Sequence, residues 1–312
     1  MANSKSIIPF DNVSDLVVFI RVANLLSFTN AAESLDISRS AVGKSVSRLE
    51  ERLKLRLFYR TTRNISLTAE GELFYQHAQL ILNEVEEASM ALDKLNENPR
   101  GRLRIDLPIA FGRHYILPLL QTYLAQWPEL EADITFSDEY CDLVKNGIDL
   151  AIRIGGNDDS RLMRKVLAPH RLITCASPDY LKKFGSPKTL DMLLQHQLIT
   201  FSHQSMTSPW KYQINQKICD IPVNGKLRLN NTEAILDMAL AGNGLCQLGE
   251  FLVGEKINSG ELMPVLMDHT VNLPSICAVY PSKRHLSPKV RYFLDFIEKQ
   301  WQGDAIWRIT QY

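Results

Sequence analysis

The sequence lacks the features that mark metal enzymes, disulfide-bonded secreted proteins and strongly charged binding proteins. Its 312 residues carry 35 Lys and Arg against 35 Asp and Glu, so there is no net charge. No two of the five cysteines form a C-x-x-C pair and the seven histidines show no ligand spacing, which argues against a metal site or a disulfide framework. A reduced compartment fits this pattern. The cysteines are Cys141, Cys175, Cys219, Cys246 and Cys277.

Enzyme and membrane signals are missing as well. There is no P-loop for phosphate, no nucleophile-elbow serine and no His-Glu-x-x-His. Gly242-x-Gly244 is followed by Gln247 where a dinucleotide fingerprint needs Gly, so we interpret it as a helix-ending turn. No run approaches the roughly 18 apolar residues of a membrane span. The early apolar run Ile7-Ile8 is interrupted by Pro9, so we do not expect a signal peptide. We therefore expect a soluble cytoplasmic protein that is not an enzyme and needs no cofactor.

What the chain does contain is a helix-turn-helix pattern. Ser14 is placed to cap a first helix, Thr29 to cap a second, and Asp36-Ile37 to form the turn that follows. Ser38 is then predicted to cap a third helix that runs to about Leu53. The apolar stripe of the first helix is Leu16, Phe19, Ile20 and Ala23.

The third helix has the layout of a DNA-recognition helix. One side carries a stripe that we expect to be buried, formed by Val42, Val46, Leu49 and Leu53. At 100° per residue, the opposite side collects small and polar residues, namely Ser40, Gly43, Lys44 and Ser47. Arg39, beside the N-cap, is positioned to reach a guanine edge. The alternative for an isolated amphipathic helix is an ordinary solvated face.

Basic residues are concentrated in this segment, which favours DNA binding over a solvated face. Between residues 39 and 63 there are eight Lys and Arg against two Glu, a surplus of six. Leu57–Arg60, Thr61–Asn64 and Ile65–Thr68 indicate a strand, a turn and a strand: a wing that directs Arg60 and Arg63 towards the DNA backbone or minor groove. The candidate DNA-binding residues are Ser27, Thr29, Ser38, Arg39, Ser40, Gly43, Lys44, Ser47, Arg48, Arg60 and Arg63.

Several spaced motifs in this region resemble those of one family. They are Ser27-Phe28-Thr29-x-Ala31-Ala32-x-x-Leu35, Ser38-x-Ser40-Ala41-Val42, Leu49-Glu50, Leu57-Phe58-x-Arg60 and Leu67-Thr68-x-x-Gly71. Together they resemble the N-terminal signature of LysR-type transcriptional regulators. The family usually has Gln at Arg39, Ser at Gly43 and Gly at Lys54. Lys54 must therefore adopt the left-handed cap conformation, or the helix must end differently.

Thr68 is predicted to cap a long helix that runs to about Leu95, and this helix carries a heptad seam. The seam residues are Phe74, Ala78, Ile81, Val85, Ala88, Leu92 and Leu95. A second partial row, made of Leu73, His77, Leu80 and Glu84, flanks it. Packing on the helix's own domain and pairing with a second copy both fit this periodicity. The resemblance favours pairing, because the family's linker helix dimerises and sets two recognition helices on one face of the DNA.

A domain boundary is expected at Asn96–Gly101, where Pro99 and Gly101 break the helix. Beyond it, short apolar runs alternate with helical patterns, which predicts parallel sheets with crossover helices. The first of these helices is expected from Tyr115 to Trp127, strained or kinked at Pro118. The run from Asp142 to Gly155 resembles the family's effector-binding domain, which has two lobes like a periplasmic binding protein. The resemblance implies two crossings between lobes, which we place near Ala168 and Leu273. The predicted fold is thus α/β overall, a mainly α winged helix-turn-helix with a linker helix followed by a two-lobed effector domain.

The expected domain plan has four parts. Residues 1–68 form the winged helix-turn-helix and residues 69–98 the linker helix. Residues 99–302 form the effector-binding domain, with lobe I at about 102–168 and 274–302 and lobe II at about 169–273. Residues 303–312 form a tail that is more apolar than a free terminus should be, and docking on a lobe or on another subunit would both explain it.

A small effector would bind between the lobes, at strand ends and helix N-termini. We expect the backbone amides of Pro108–Gly112 to receive a carboxylate. Arg153 is either a ligand contact or a structural ion pair with Asp142 or Asp149. The candidate effector-binding residues are Ala110, Phe111, Arg153, Thr200, Phe201, Asn230 and Asn231.

Two classes of function compete at this stage. The first is a sequence-specific DNA-binding transcriptional regulator whose activity a small molecule modulates. The second is a solute-binding or enzymatic α/β protein whose N-terminal helices only assemble it, and this class leaves the basic helix and wing unexplained. The first predicts double-stranded promoter or operator DNA, a small-molecule effector, RNA polymerase and further copies of the chain as partners, in a homodimer or homotetramer, with no membrane.

Overall fold

The computed structural model describes residues 13–60, 65–92, 98–155, 162–203, 206–281, 286–301 and 307–310. The chain divides into two compact units, Met1–Glu97 with Cys141–Ile148, and Asn98–Tyr140 with Asp149–Tyr312. Within the described residues, no helix has both the length and the apolar character that a membrane crossing requires.

The N-terminal unit contains a three-helix cluster, a two-stranded wing and a long helix. The helices are α1 Val13–Leu25, α2 Phe28–Ser34, α3 Arg39–Leu53 and α4 Ala69–Leu92, and the strands are β1 Phe58–Arg60 and β2 Ile65–Leu67. β1 and β2 pair antiparallel, with Phe58 opposite Leu67. The expected turn of this wing, Thr61–Asn64, lies outside the described residues.

The helix caps agree with the sequence at α3 and α4 and disagree at α1 and α2. Ser38 Oγ accepts from Ala41 N, and Thr68 Oγ1 accepts from Gly71 N. The predicted caps Ser14 and Thr29 are wrong, because both lie inside helices. Ser27 caps α2 instead, since its extended backbone lets its Oγ accept from Asn30 N at 3.2 Å.

Lys54 resolves the question of how α3 ends. Its backbone adopts the left-handed conformation, with φ 54° and ψ 33°. The helix therefore ends in the usual way, with Lys in a position that favours Gly. Inside the unit, the rings of Phe19, Phe28, Phe58 and Phe74 pack edge-on or tilted at centroid distances of 5.1–6.0 Å.

The C-terminal unit is built on one seven-stranded sheet, flanked by smaller sheets and helices. The strands are β3 Gly101–Leu107, β4 Leu130–Phe136, β5 Leu150–Ile154, β6 Leu162–Ala176, β7 Ile199–His203, β8 Met206–Thr207, β9 Trp210–Ile214, β10 Lys217–Ile221, β11 Leu227–Leu229, β12 Cys246–Gly249, β13 Met263–Val265 and β14 Val271–Pro281. The helices are α5 Ile109–Phe111, α6 Leu117–Gln126, α7 Pro178–Phe184, α8 Thr232–Leu240, α9 Glu250–Asn258 and α10 Pro288–Gln300.

Two long strands, β6 and β14, pair antiparallel along their length and connect the two halves of this unit. In the large sheet, with the order β12-β6-β14-β5-β3-β4, β14 also pairs with β5 of the first half. β6 also pairs with β12 and β13 of the second half. The expected crossings near Ala168 and Leu273 lie inside these two strands. The expectation of parallel sheets is only partly right, since β3 pairs parallel with β4 and β5 but the crossing strands are antiparallel.

The first helical segment of the C-terminal unit is longer than predicted and contains a π-helical turn. α5 continues through a π turn at Gly112–Ile116 into α6. Leu117 N donates to Gly112 O across this turn. Pro118 follows at once, and because it lacks a backbone N–H, the wider turn takes the place of the kink predicted there.

The tail docks on the C-terminal unit. Trp307 is buried, and its ring packs against Phe111, Tyr115 and Trp301. Ile309 N donates to the Glu250 side chain at 2.9 Å. Of the two explanations for the apolar tail, docking on the chain's own fold is the one that the described residues display.

Candidate nucleic-acid interface and ligand cavity

The exposed side of α3 carries most of the predicted DNA-binding residues. Ser38, Arg39, Ser40 and Lys44 are exposed, and Ser47 is half-buried. A Cβ added at Gly43 would meet nothing within 4 Å, so the helix backbone is open to a groove at this point. On the opposite side Val42, Val46 and Leu49 are fully buried, as the stripe predicted.

Arg48 belongs to α3 but is held by a buried acid. Its Nη2 and Nε donate to the two carboxylate oxygens of Asp15 at 2.6 and 2.9 Å, and Ser45 Oγ also donates to Asp15 at 2.8 Å. The hydrogen bond from Arg48 is the main reason that the pKa of Asp15 lies below its ordinary value of 3.8. This guanidinium therefore joins α1 to α3, and half of its side chain remains accessible.

Arg60 of the wing is held in a similar way. It donates to Glu50 at 2.9 Å, and its guanidinium lies over the Phe28 ring. The other oxygen of Glu50 accepts from the backbone amides of Leu57 and Phe58. This ion pair partly neutralises the positive charge of Arg60, which the sequence analysis expected to face DNA. Arg63 lies outside the described residues, Ser27 serves as the cap of α2, and Thr29 is exposed on that helix.

The first part of the predicted dimer seam packs inside the N-terminal unit. Ala78 is fully buried in its core, and Phe74 and Ile81 pack against the same core. Val85, one turn further along α4, is 44% exposed. The side chains of Ala88 and Leu92, and the whole of Leu95, lie outside the described part of the chain.

A cavity of about 210 Å³ lies in the C-terminal unit. Among the predicted effector residues, Ala110, Phe111 and Phe201 line it. The other lining residues are Pro108, Asp138, Ile154, His170, Leu172, Thr232, Gln247, Leu248, Gly249, Phe251 and Leu252. The expectation that an effector binds at strand ends and helix N-termini identifies part of this wall. It misses His170 on β6 and the residues at the junction of β12 and α9.

The remaining predicted effector residues do not line this cavity. Arg153 is buried and donates to buried Asp106 at 2.5 Å. Arg153 thus takes part in a structural ion pair, and Asp149, one of the two expected partners, instead accepts from Lys289 and from Arg104 N. Thr200 is fully buried and donates to Leu227 O.

Two asparagines complete this group. Asn230 is exposed, and Asn231 Oδ1 accepts from Ala234 N as the cap of α8. Both lie just before a helix whose first residue, Thr232, lines the cavity. Asn231 therefore serves the start of α8, and neither asparagine lines the cavity.

The amide that we expected to receive an effector carboxylate already binds one from the chain itself. Ile109 N donates to Asp138 Oδ1 at 3.0 Å, and Asp138 lines the cavity. The reason is local: Asp138 follows β4, which is parallel to β3 and ends beside it. The sequence offered no signal for this contact, because the two residues are far apart along the chain.

His170 is the most deeply buried polar wall residue. Only 8% of it is exposed, and its Nδ1 has no partner in the part of the chain that the structure describes. Burial lowers its pKa to about 4, and a hydrogen bond with the Pro274 carbonyl opposes that shift. His170 is therefore neutral at physiological pH. Because a carbonyl only accepts and Nδ1 has no partner among the described residues, we assign the N–H to Nε2 and the acceptor lone pair to Nδ1.

Contacts beside the cavity join the two halves of the unit. Glu233 on α8 accepts from Arg113 at 2.7 Å and lies 3.0 Å from His114 Nε2. Tyr115 Oη donates to Phe251 O at 2.6 Å. The described residues contain no cluster of His, Cys, Asp or Glu that could hold a metal ion.

Two family models match the chain. The bacterial regulatory helix-turn-helix protein, lysR family, matches residues 13–72, and the LysR substrate binding domain matches residues 96–302. An HTH-type transcriptional regulator of Xanthomonas campestris is 34% identical over 274 residues, which cover 86% of this chain and 80% of that protein.

Solved structures agree over nearly the whole length. The structure of CrgA, a LysR-type transcriptional regulator from Neisseria meningitidis, has a TM-score of 0.60 and 32% identity, and the match covers 94% of this chain and 100% of that one. The full-length structure of AphB, a virulence activator of Vibrio cholerae, has a TM-score of 0.60 and 25% identity, with 92% and 98% covered.

The pair of Arg48 and Asp15 makes a pH-dependent prediction. The folded-state pKa of Asp15 is lowered. Its contribution to the free energy of unfolding is therefore present above its unfolded pKa and is lost as the pH falls through the folded pKa. We expect Arg48→Gln to cost about 1–3 kcal/mol of unfolding free energy near neutral pH, with a smaller cost near about pH 3. Urea unfolding at several pH values measures this. Arg39→Gln, an exposed change in the same helix, should cost less than about 0.5 kcal/mol throughout. A cost of Arg48→Gln that is equal at every pH would contradict the assignment.

Proposed function

The chain belongs to the LysR-type family of bacterial transcriptional regulators, and we propose that it is a cytoplasmic, sequence-specific DNA-binding regulator controlled by a small molecule bound in its C-terminal unit. The family and the relatives are regulators and not enzymes. We keep the domain plan of a winged helix-turn-helix at 1–68, a linker helix at 69–98, an effector domain at 99–302 and a tail at 303–312.

The observation that carries this proposal is the open, polar side of α3. Arg39 and Lys44 are exposed there, and Gly43 leaves space for close approach of the backbone. Base recognition is assigned to Lys44, because it lies on the side opposite the buried stripe, and to Arg39, because it is exposed in the first turn of α3 beside the N-cap Ser38. Arg48 is assigned to holding the recognition helix in place through Asp15.

The DNA-binding part is tested by selecting bound sequences from a random duplex library. Arg39→Ala should relax the preference at one base position by about 1–3 kcal/mol, because a bidentate contact to a base edge is lost. Arg21→Ala is the matched control, since it removes the same charge from an exposed position on α1. Affinities are measured for the selected operator and for its single-base variants, at several salt concentrations. If Arg39→Ala and Arg21→Ala weaken every sequence by the same factor, base recognition by Arg39 is wrong.

We assign the dimer contact to the part of α4 that begins at Val85. The seam before this residue is already used, because Phe74, Ala78 and Ile81 pack in the unit's own core. Val85 is an exposed apolar residue on the same helical row. Continuation of the heptad to Leu95 in the sequence supports pairing with a second copy. Tetramers and contact with RNA polymerase are further proposals that rest on the family alone.

Charge placed in this seam should weaken the dimer. Val85→Asp is expected to raise the dimer dissociation constant by about 100-fold, because a carboxylate must be desolvated on both sides of the seam. Sedimentation velocity over a concentration series measures the effect. Leu55→Asp is the control, since Leu55 is 48% exposed and lies outside α4. A dimer that survives Val85→Asp unchanged would move the contact to another surface.

The cavity of the C-terminal unit is the proposed effector site. It is a concave, mostly apolar site with few polar groups, which is the usual form of a small-molecule site. Contacts between the two halves involve residues next to the wall in the sequence. Glu233, for example, follows the wall residue Thr232 and accepts from Arg113. A ligand that binds one arrangement of the halves better than another would shift the protein between them.

Filling the cavity should separate effector response from DNA binding. Ala110→Trp puts a large ring into the wall, so the reporter response to compounds that act on the wild type should be lost. Operator affinity of the ligand-free protein should stay within about twofold, because the wing and α3 are untouched. Leu194→Trp, at a residue that is 72% exposed, is the control. An Ala110→Trp protein that still responds would exclude this cavity.

A further inference from the structure

The charge pattern of the cavity restricts the kind of molecule that it binds. Among the described residues of its wall, Asp138 carries the only charge. Its Oδ1 accepts from Ile109 N, so the anion position at the start of α5 is filled by the protein. A second carboxylate would meet a negative charge here and would find the amide of Ile109 occupied.

The arginines next to the wall do not supply a compensating charge. Arg113 follows Phe111 closely and binds Glu233. Arg153 precedes Ile154 and binds Asp106, and Arg171 lies between two wall residues and binds Glu250. Each guanidinium is thus committed to a carboxylate of this chain, and moving one to a ligand would break an existing ion pair.

The wall does supply a hydrogen-bond acceptor. His170 Nδ1 has no partner in the described residues, although the side chain is more than nine-tenths buried. A carbonyl only accepts, so the hydrogen bond with Pro274 assigns the ring N–H to Nε2, and the unpartnered Nδ1 presents a lone pair. An unsatisfied buried acceptor is costly, and a ligand that donates a hydrogen bond to it removes that cost.

Size and shape add a third limit. The volume of about 210 Å³ is somewhat larger than the roughly 150 Å³ of an apolar cavity that holds benzene. The walls are aromatic and aliphatic, with Phe111, Phe201 and Phe251 among them. A single ring with one short substituent fits this space.

We propose that the effector of this chain is an uncharged or cationic single-ring molecule that carries a hydrogen-bond donor, and that the cavity discriminates against carboxylates. Asp138, an exposed residue of the wall, sets the charge preference, and His170 accepts the hydrogen bond from the ligand's donor. This inference rests on the proposed function for the location of the effector, and it replaces the carboxylate that the sequence suggested.

Four small probes test the inference on the purified full-length protein without DNA. Benzylamine is cationic, benzyl alcohol is a neutral donor, anisole is its isomer without a donor, and benzoate is anionic. Ligand-observed NMR titrations in the millimolar range give their relative affinities. We expect benzylamine and benzyl alcohol to bind about fivefold or more tightly than benzoate. Benzyl alcohol should exceed anisole by about three- to tenfold, the worth of one hydrogen bond.

Two variants assign the preferences to residues. Asp138→Asn keeps an acceptor for Ile109 N but removes the charge, so the disadvantage of benzoate should shrink to less than about twofold. Glu139→Gln removes a charge from the neighbouring exposed residue, which does not line the cavity, and should leave the order unchanged. His170→Phe should abolish the advantage of benzyl alcohol over anisole.

The outcomes separate this inference from the proposed function. Benzoate binding as tightly as benzyl alcohol, or the absence of binding by all four probes, overturns the inference even if operator selection succeeds. The expected order of affinities supports the inference even if no operator is found, in which case the regulatory proposal alone fails. An order that survives both Asp138→Asn and His170→Phe shows that binding occurs elsewhere and also overturns it.

Discussion

The C-terminal unit depends on the antiparallel pairing of β6 with β14. These two strands carry the hydrogen bonds that join the first half of the large sheet to the second. In that sheet β12 and β13 pair with β6, β5 pairs with β14, and β3 and β4 follow β5 in the strand order. Their register shifts between Leu273 and Ile276, where Pro274 cannot donate to a ladder. His170 lies opposite Leu273 and binds the free carbonyl of Pro274. The irregularity in the ladder thus lies beside the buried polar residue of the cavity wall.

A second constraint shapes the N-terminal unit, where positive charge serves both structure and function. The surplus of basic residues predicts an electrostatic surface for DNA, but two of its members are bound inside the unit. Arg48 binds Asp15, and Arg60 binds Glu50 and covers Phe28. These pairs fix the recognition helix and the wing relative to α1 and α2. Arg39 and Lys44 are exposed on α3, and the division that we propose between holding the helix and recognising bases follows from the ion pairs formed by Arg48 and Arg60.

The same logic explains the cavity. The arginines next to its wall are bound by Glu233, Asp106 and Glu250, whereas the charged residue that lines the wall itself is Asp138. A site formed in this way differs from one in which a free guanidinium receives an acid. Membership in the family therefore supports the ligand site that we propose in this unit, and the pairing of charges in this chain supports the preference that we propose for it.

The sequence by itself determined the helix-turn-helix, the wing, the α/β nature of the remainder and the family, because these depend on short-range periodicity, caps and spaced motifs. Ser38 and Thr68 cap helices as predicted, while Ser14 and Thr29 do not, since both lie inside helices. Only the tertiary structure decided which partner each charge has and which side of α4 is buried. Arg153 binds Asp106, Ile109 N binds Asp138 and Ala78 enters the core, and each of these depends on elements that are distant in the chain. Periodicity marks an apolar or charged position, but the choice among several possible partners is made by packing.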